Sequence, residues 1–367
     1  MTTTGYIIWS ALAVGWFALL FAVQYPIRKK GGVAVRIIAS VIKLLLGTAI
    51  AFEIVAGTSM LLYRLGFVLA ALYAVLFADA AGDILTLPAA VKNKKQSTVK
   101  LQVIVNALCV AAYMIYGTVN MQTVKADRIS FSSDKLKNSY KVVFVSDLHV
   151  GSSQSLRTTE ETIRRIADEA PDFIILGGDL TDEFTTREEM EKTFSLLGKI
   201  NTPVYYVYGN HEAQPSIPDK NERTYTDEEL EYAVISNGIH LLRDKWTRFS
   251  DDLIIFGREN YNSPDRKPIS EIPARPNDAF VLLADHTPYE TEEIKASGAD
   301  LQLSGHSHAG QLFPLNTIYE LAGYDAYGFF RHGDTTLYVS PGVSGWLFPF
   351  RTEKSCNYGV ITLEPKR

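Results

Sequence analysis

Apolar positions follow two regimes along the chain. Up to about residue 124 they run on without a break in four stretches, 6–25, 33–56, 61–81 and 99–121. Each has about the 20 residues that a helix needs to cross a bilayer. Tyr6, Trp9, Tyr25 and Tyr116 sit near stretch ends, as interface anchors should. The first stretch has no Lys or Arg before it and Arg28-Lys29-Lys30 after it, which predicts a retained helix and not a cleaved signal peptide. From Tyr140 short β-branched runs alternate with stretches of helical period. Strands are expected at 141–145, 173–176, 204–208, 253–256, 280–284, 301–303, 336–340 and 359–363, and helices at 156–169, 187–200, 227–237 and 289–297. Alternation of this kind predicts a layered α/β domain. The expected domains are a four-helix membrane domain over 1–124, a polar linker over 125–139, and the α/β domain over 140–367.

Charge adds a direction. Lys and Arg crowd the first connection (Arg28, Lys29, Lys30) and the third (Lys92, Lys94, Lys95, Lys100), whereas the second has only Arg64. The positive-inside rule then places those two connections in the cytoplasm and the α/β domain on the extracytoplasmic face of a multi-pass protein of the cell membrane. Lys125, Arg128, Lys135 and Lys137 beyond the fourth stretch run against this. Of the charges within the stretches, Arg36, Asp79 and Asp83 fall toward one boundary and Glu53 and Arg64 toward the other, as paired or snorkelling end charges do. Lys43 lies deeper and has no evident partner in the sequence. Up to Val124 there are ten basic and three acidic residues, leaving 26 basic and 38 acidic beyond, about −12. So acidic a domain is a poor partner for nucleic acid. Two cysteines, Cys109 and Cys356, exclude a disulfide scaffold.

Chemistry is concentrated where the expected strands end. Five clusters follow apolar runs: Ser146-Asp147-Leu148-His149, Gly177-Gly178-Asp179-Leu180-Thr181-Asp182, Gly209-Asn210-His211-Glu212, Asp285-His286, and Gly305-His306-Ser307-His308. They hold five of the seven histidines; His240 and His332 lie outside and read as structural. Loops beyond the carboxyl ends of strands are where an open α/β sheet places its site. Mixed His, Asp and Asn donors suit two divalent ions, manganese in first place and iron or zinc after it. A shared carboxylate holding two such ions about 3.5–4 Å apart suits attack of a metal-bridging hydroxide on phosphorus.

The ordered pattern D-x-H, G-D-x-x-D, G-N-H-[DE], a later His and G-H-x-H resembles the calcineurin-like metallophosphoesterase superfamily, from Tyr140 to the C-terminus. The run 305–311, with 338–342 and 349–351 later, is similar to its membrane-anchored bacterial YkuE/YaeI/YkoQ-type branch. The resemblance implies a four-layer sandwich of two mixed β-sheets flanked by helices. It implies one ion on Asp147, His149, Asp179 and His308, a second on Asp179, Asn210, His286 and His306, and His211 as the catalytic acid, oriented by Glu212. Two departures, Gly257-Arg258-Glu259-Asn260 and Asp285 before His286, touch the substrate contacts.

Arg258 and Arg351 are candidate phosphate clamps. Trp346, Phe348 and Phe350, in an irregular run, are candidate contacts to an acyl chain or bilayer. The connection 213–226 is a candidate lid. Together these give a membrane-anchored dinuclear phosphoesterase, hydrolysing a phosphodiester or pyrophosphate of a lipid-linked substrate. The alternatives are a soluble nucleotide or phosphosugar substrate, and a metal-dependent membrane sensor without catalysis.

Overall fold

Four long helices open the chain: α1 (Thr3–Lys30), α2 (Val33–Ala56), α3 (Met60–Lys92) and α4 (Ser97–Gln122). The computed structural model describes residues 3–30, 32–56, 60–92, 97–213, 224–272 and 278–366, so most of the candidate lid lies outside the described residues. Each helix contains a segment long and apolar enough to span a membrane: Ile7–Pro26, Val33–Ile54, Val68–Ala89 and Lys100–Gln122. The third lies seven residues later than the sequence pattern placed its start. Asp79 and Asp83 therefore stand well inside the span and not at its boundary. Helix α3 continues past them because Lys43, Gln102 and Asn106 satisfy both carboxylates.

These helices make one compact unit, together with residues 312–315 and 350–353. Its centre is α3, whose Ala70, Ala71, Ala74, Ala78 and Ala80 are buried. Small side chains let helix backbones approach closely where lipid gives no hydrophobic drive. The two returning segments are held by specific contacts. Tyr73 Oη donates to the Phe313 carbonyl at 2.7 Å, the Phe313 amide donates to Thr352 Oγ1 at 2.9 Å, and the Arg351 amide donates to the Gly117 carbonyl at 3.0 Å. Trp9, read above as an interface anchor, is instead buried with its ring 5.4 Å from that of Phe350.

The second unit holds the remaining residues. In order along the chain come β1 (Lys125–Ser133), β2 (Tyr140–Val145), α5 (Leu156–Asp168), β3 (Phe173–Leu176), α6 (Arg187–Gly198), β4 (Val204–Tyr206), α7 (Asn210–Ala213), α8 (Asp227–Ser236), β5 (His240–Leu241), β6 (Lys245–Ser250), β7 (Leu253–Gly257), β8 (Phe280–Ala284), α9 (Thr291–Ala296), β9 (Leu301–Ser304), α10 (Leu315–Leu321), β10 (Gly328–His332), β11 (Thr335–Val339) and β12 (Asn357–Pro365). One sheet runs β1-β12-β2-β3-β4-β5 and the other β10-β11-β9-β8-β7-β6. Both are mixed: β2 to β5 run parallel with antiparallel β12 beside β2, and β7, β8, β9 and β11 run parallel with antiparallel β6 and β10 at their two sides. Phe144, Phe173 and Ile175 of the first sheet meet Ile255, Phe280, Leu282 and Leu303 of the second in one buried cluster. Met190, Phe194 and Leu197 of α6 and Ile163 and Ile166 of α5 cover the first sheet's outer face. Sequence signals start these helices: Ser155 caps α5, and capping boxes Thr186/Glu189 and Thr226/Glu229 open α6 and α8.

The stretch read as a linker is largely strand. Residues 125–133 form β1, parallel to β12 from Lys125↔Asn357 to Ser133↔Pro365.

Candidate metal centre

The five ligand-bearing turns all leave the carboxyl ends of parallel strands: β2, β3 and β4 in one sheet, β8 and β9 in the other. Backbone bonds tie the turns together. The Asp147 amide donates to the Gly178 carbonyl at 2.9 Å, the His149 amide to Asp179 O at 3.1 Å, and the Gly305 amide to His286 O at 3.0 Å. Gly305 and Gly209 permit this closeness. A Cβ on Gly305 would lie 2.3 Å from Asp147 Oδ2, and one on Gly209 2.2 Å from Asp179 Oδ1.

Two ligand groups result, Asp147/His149/His308 and Asp179/His286/His306, and within each the candidate donor atoms lie within 4.8 Å of one another. Asp179 belongs to both neighbourhoods: its Oδ2 is 2.9 Å from His286 Nε2 and 3.9 Å from His149 Nε2. Asn210 Oδ1 is 2.8 Å from His306 Nδ1. Thus the seven residues expected as ligands converge on one place. Five of them (Asp147, His149, Asp179, His306 and His308) have φ between 43° and 72°, the left-handed region. Non-glycine residues rarely adopt it, and such strain persists where surrounding structure fixes a functional side chain.

The donor set fits divalent ions. Asp147 Oδ2 and His149 Nε2 are buried without a hydrogen-bond partner, although buried polar atoms are nearly always paired. The far nitrogens are engaged: His149 Nδ1 lies 3.1 Å from Asp182 Oδ2, His286 Nδ1 2.8 Å from Gly177 O and His308 Nδ1 3.1 Å from Ser344 O. Such contacts fix ring and tautomer so that Nε2 faces the ligand position. Donors are nitrogen and oxygen with no thiolate, a borderline-to-hard set.

Electrostatics separate the roles. Burial alone would raise the Asp179 carboxyl, but His286, His211 and His149 around it hold it well below the usual carboxylate range. At His306, burial and neighbouring His286 push the ring down to about 3, so it stays neutral. His211 goes the other way. Burial pulls it down, yet Asp179 and Glu183 outweigh this and lift it to about 9.

Some partners differ from expectation. Glu183, and not Glu212, holds His211, through Nδ1 at 2.9 Å. Glu212 is buried beneath the turns and accepts from the amides of Asp179, Leu180 and Gly209 at 2.9, 2.6 and 2.7 Å and from Tyr206 Oη at 2.7 Å. It shapes the Asp179 turn. Tyr289, which the sequence reading passed over, sets its half-exposed ring 5.1 Å from that of His306, with exposed Tyr261 6.3 Å beyond. An aromatic two or three residues past a ligand histidine was the available signal.

The expected substrate contacts fare unevenly. Trp346 is half-buried and lies 5.1 Å from the His211 ring. Phe348 and Phe350 are buried, and Phe350 packs in the helical unit on Trp9 and Tyr113, so these two do not form an exposed apolar loop. Arg351, also in the helical unit, is fully buried and presents no open clamp. Arg258 is buried between Asp244 at 2.8 Å, Glu293 at 3.5 Å and Asp285 at 4.0 Å, while Arg266 grips Asp285 at 2.6 Å. The departure at Asp285 is therefore half of an ion network that braces the His286 turn. Arg258→Ala is expected to cost about 3–5 kcal/mol by stranding buried carboxylates. Thermal unfolding should show it as a lowered Tm, with KM for a soluble phosphodiester unchanged in the folded fraction; a raised KM at unchanged Tm would restore the clamp. His332 pairs with Asp325 at 2.5 Å and His240 stacks on Tyr205, both outside the ligand groups.

Residues 140–310 match the calcineurin-like phosphoesterase family. A protein of Helicobacter pylori named as an uncharacterized metallophosphoesterase is 31% identical over 64% of this chain and 62% of its own length. The uncharacterized metallophosphoesterase YkuE of Bacillus subtilis is 26% identical over 66% of this chain and 84% of its own. A transmembrane protein with metallophosphoesterase domain from Bos taurus is 28% identical over 58% of this chain, which spans half of that relative's length. The two-sheet sandwich that gathers both His/Asp groups at its strand ends is a calcineurin-like metallophosphoesterase domain, carried behind four apolar helices.

Proposed function

We propose that this protein is a membrane-anchored, metal-dependent phosphoester hydrolase that cleaves a phosphodiester or pyrophosphate in the head group of an amphiphilic, lipid-linked substrate on the extracytoplasmic face. The observation that carries the chemistry is the convergence of two His/Asp groups beside His211. Asp147, His149, Asp179 and His308 would hold one divalent ion, and Asp179, Asn210, His286 and His306 the other. Manganese heads the metals such a donor set accepts. When bound, two such ions supply Lewis-acid activation of water and neutralise charge on phosphate. His211, held by Glu183, gives a proton to the leaving oxygen from its ring. Trp346 covers the His211 side, and Tyr289 and Tyr261 the His306 side.

The lipid-linked class is supported by the four apolar helices and by Tyr261 and Tyr289, amphipathic rings suited to a half-apolar ligand. Support for the outward face comes from the cations that follow α4. Arg128 bonds Glu169 at 3.0 Å and Lys135 bonds Asp300 at 2.8 Å, so these two cations are paired within the sheet unit, and the charge of the first and third connections is left to set the direction. The test uses full-length protein in detergent with added manganese, comparing a lipid diphosphate with a small soluble phosphodiester. Tyr289→Ser with Tyr261→Ser is expected to raise KM for the lipid roughly tenfold, the effect of about 1.4 kcal/mol, and to leave the soluble ester unchanged. Equal loss on both substrates, or no hydrolysis of the lipid at all, refutes the lipid class.

A further inference from the structure

One group of ionisable side chains lies wholly within the helical unit and has no part in ester hydrolysis. Lys43 stands in the middle of the α2 span Val33–Ile54, and Asp79 and Asp83 stand inside the α3 span Val68–Ala89. Lys43 Nζ donates to Asp79 Oδ2 at 2.7 Å and also to Asp83 Oδ2. From α4, Gln102 Nε2 donates to Asp83 Oδ1 at 2.5 Å, and Asn106 Nδ2 to Asp79 Oδ1 at 2.5 Å and Asp83 Oδ1 at 2.9 Å. Lys43, Asp79 and Asp83 are 2–3% exposed, and Gln102 and Asn106 not at all. None of these groups snorkels to an interface.

Two features set this group apart from a plain ion pair. One ammonium faces two carboxylates across three helices. Moreover, Gln102 Oε1 and Asn106 Oδ1 are buried without a hydrogen-bond partner, on amides whose nitrogens already grip the carboxylates. Each amide can turn about its last torsion. Its oxygen then faces a carboxylate oxygen, and only an O–H between them makes that contact favourable. The same side chains thus serve an ionised carboxylate by donating and a protonated one by accepting. Among the described residues, the charged and titratable neighbours are few. On α2 they are Lys43 and buried Arg36, seven residues earlier, and on α3 the two aspartates. On α4, Cys109 lies in the field of Asp79. Helix α1 has no ionisable side chain from Trp9 to Gln24.

We propose that Asp83, with Asp79, Lys43, Gln102 and Asn106, is an exchangeable proton-binding site inside the membrane-spanning bundle. A proton from water adds to the Asp83 carboxylate and forms its O–H. Lys43 stays on Asp79, and Gln102 turns to accept. Release reverses these bonds, with no change of oxidation state. Paired ionisable groups in this setting are how helix bundles move or sense protons.

The decisive measurement treats the full-length protein with dicyclohexylcarbodiimide, which modifies a carboxyl that is protonated and in apolar surroundings. Peptide mass spectrometry should locate the adduct at Asp83, increasing as pH falls. The infrared spectrum should gain, over the same pH range, a carboxyl C=O band that is absent in Asp83→Asn. Lys43→Met removes the cation that favours the ionised form, so its adduct should appear at higher pH. The wild-type measurements stand alone if a variant does not fold. Folded wild-type protein with no adduct and no pH-dependent band at Asp83, or labelled only at Glu53, would mean fixed charges that merely lock helices, and the proposal falls.

Discussion

Asp179→Asn is expected to abolish tight binding of both ions and, with it, nearly all hydrolysis. The substitution keeps size and shape, and the retained Oδ1 can still accept from the His211 amide, which now donates to it at 2.8 Å. What it removes is one negative charge from a carboxylate that already exists as the anion, held so by His286, His211 and His149. A unit charge acting on a cation at about 4 Å is worth about 4 kcal/mol in a partly screened site. Each ion should then bind roughly 10³-fold more weakly, at 1.4 kcal/mol per decade. Metal analysis of the purified variant should find fewer than one ion per chain. Activity should recover only in part at high manganese. Two tightly held ions and full activity would show that Asp179 is not shared.

How much of this was legible in the sequence depended on whether the deciding contact was local. Strands β3 and β8 were placed to the residue, because Phe173–Leu176 and Phe280–Ala284 are wholly buried apolar runs between polar turns. The edge strands were not. Residues 125–133 alternate between exposed and half-buried, with Lys, Asp, Arg and three Ser, and their partner β12 lies more than 200 residues away. Nothing local distinguishes such a strand from a linker. The ligand residues were legible because each stands in a short turn after its own strand, in a fixed chain order. Their supporting residues were less so: Glu183 and Glu212 both sit near His211 in sequence or space, and only the geometry assigns Glu183 to the imidazole and Glu212 to the Asp179 turn. Arg258 failed for the same reason. A loop arginine reads as a phosphate clamp until Asp244 and Glu293, far along the chain, are seen to enclose it. Lys43 had no visible partner because its partners are 36 and 40 residues away on another helix.

His211→Ala is expected to leave both ions in place and still lower turnover by roughly 10²–10⁴-fold, the range for loss of a general acid. His211 is not in either ligand group. Its Nδ1 is held by Glu183, which assigns the proton transfer to Nε2. The ring's lift to about 9 by Asp179 and Glu183, against burial, keeps it charged at neutral pH, which is the form a general acid needs. Activity carried by that form is full below the folded value and falls as pH rises through it. Bound cations oppose the carboxylates, so this alkaline limb lies lower in the loaded enzyme, and His211→Ala should lack it. Leaving groups give the sharper discrimination. An aryl phosphodiester with a nitrophenol leaving group departs as a stable anion and needs no proton, whereas an alkyl ester does. The variant's deficit should therefore be small on the first and large on the second. Glu183→Gln, which removes a charge that raises the ring, should move the same limb to lower pH and leave metal content unchanged. Should His211→Ala lose both substrates equally with the alkaline limb intact, His211 acts by positioning phosphate, and the proton comes from elsewhere.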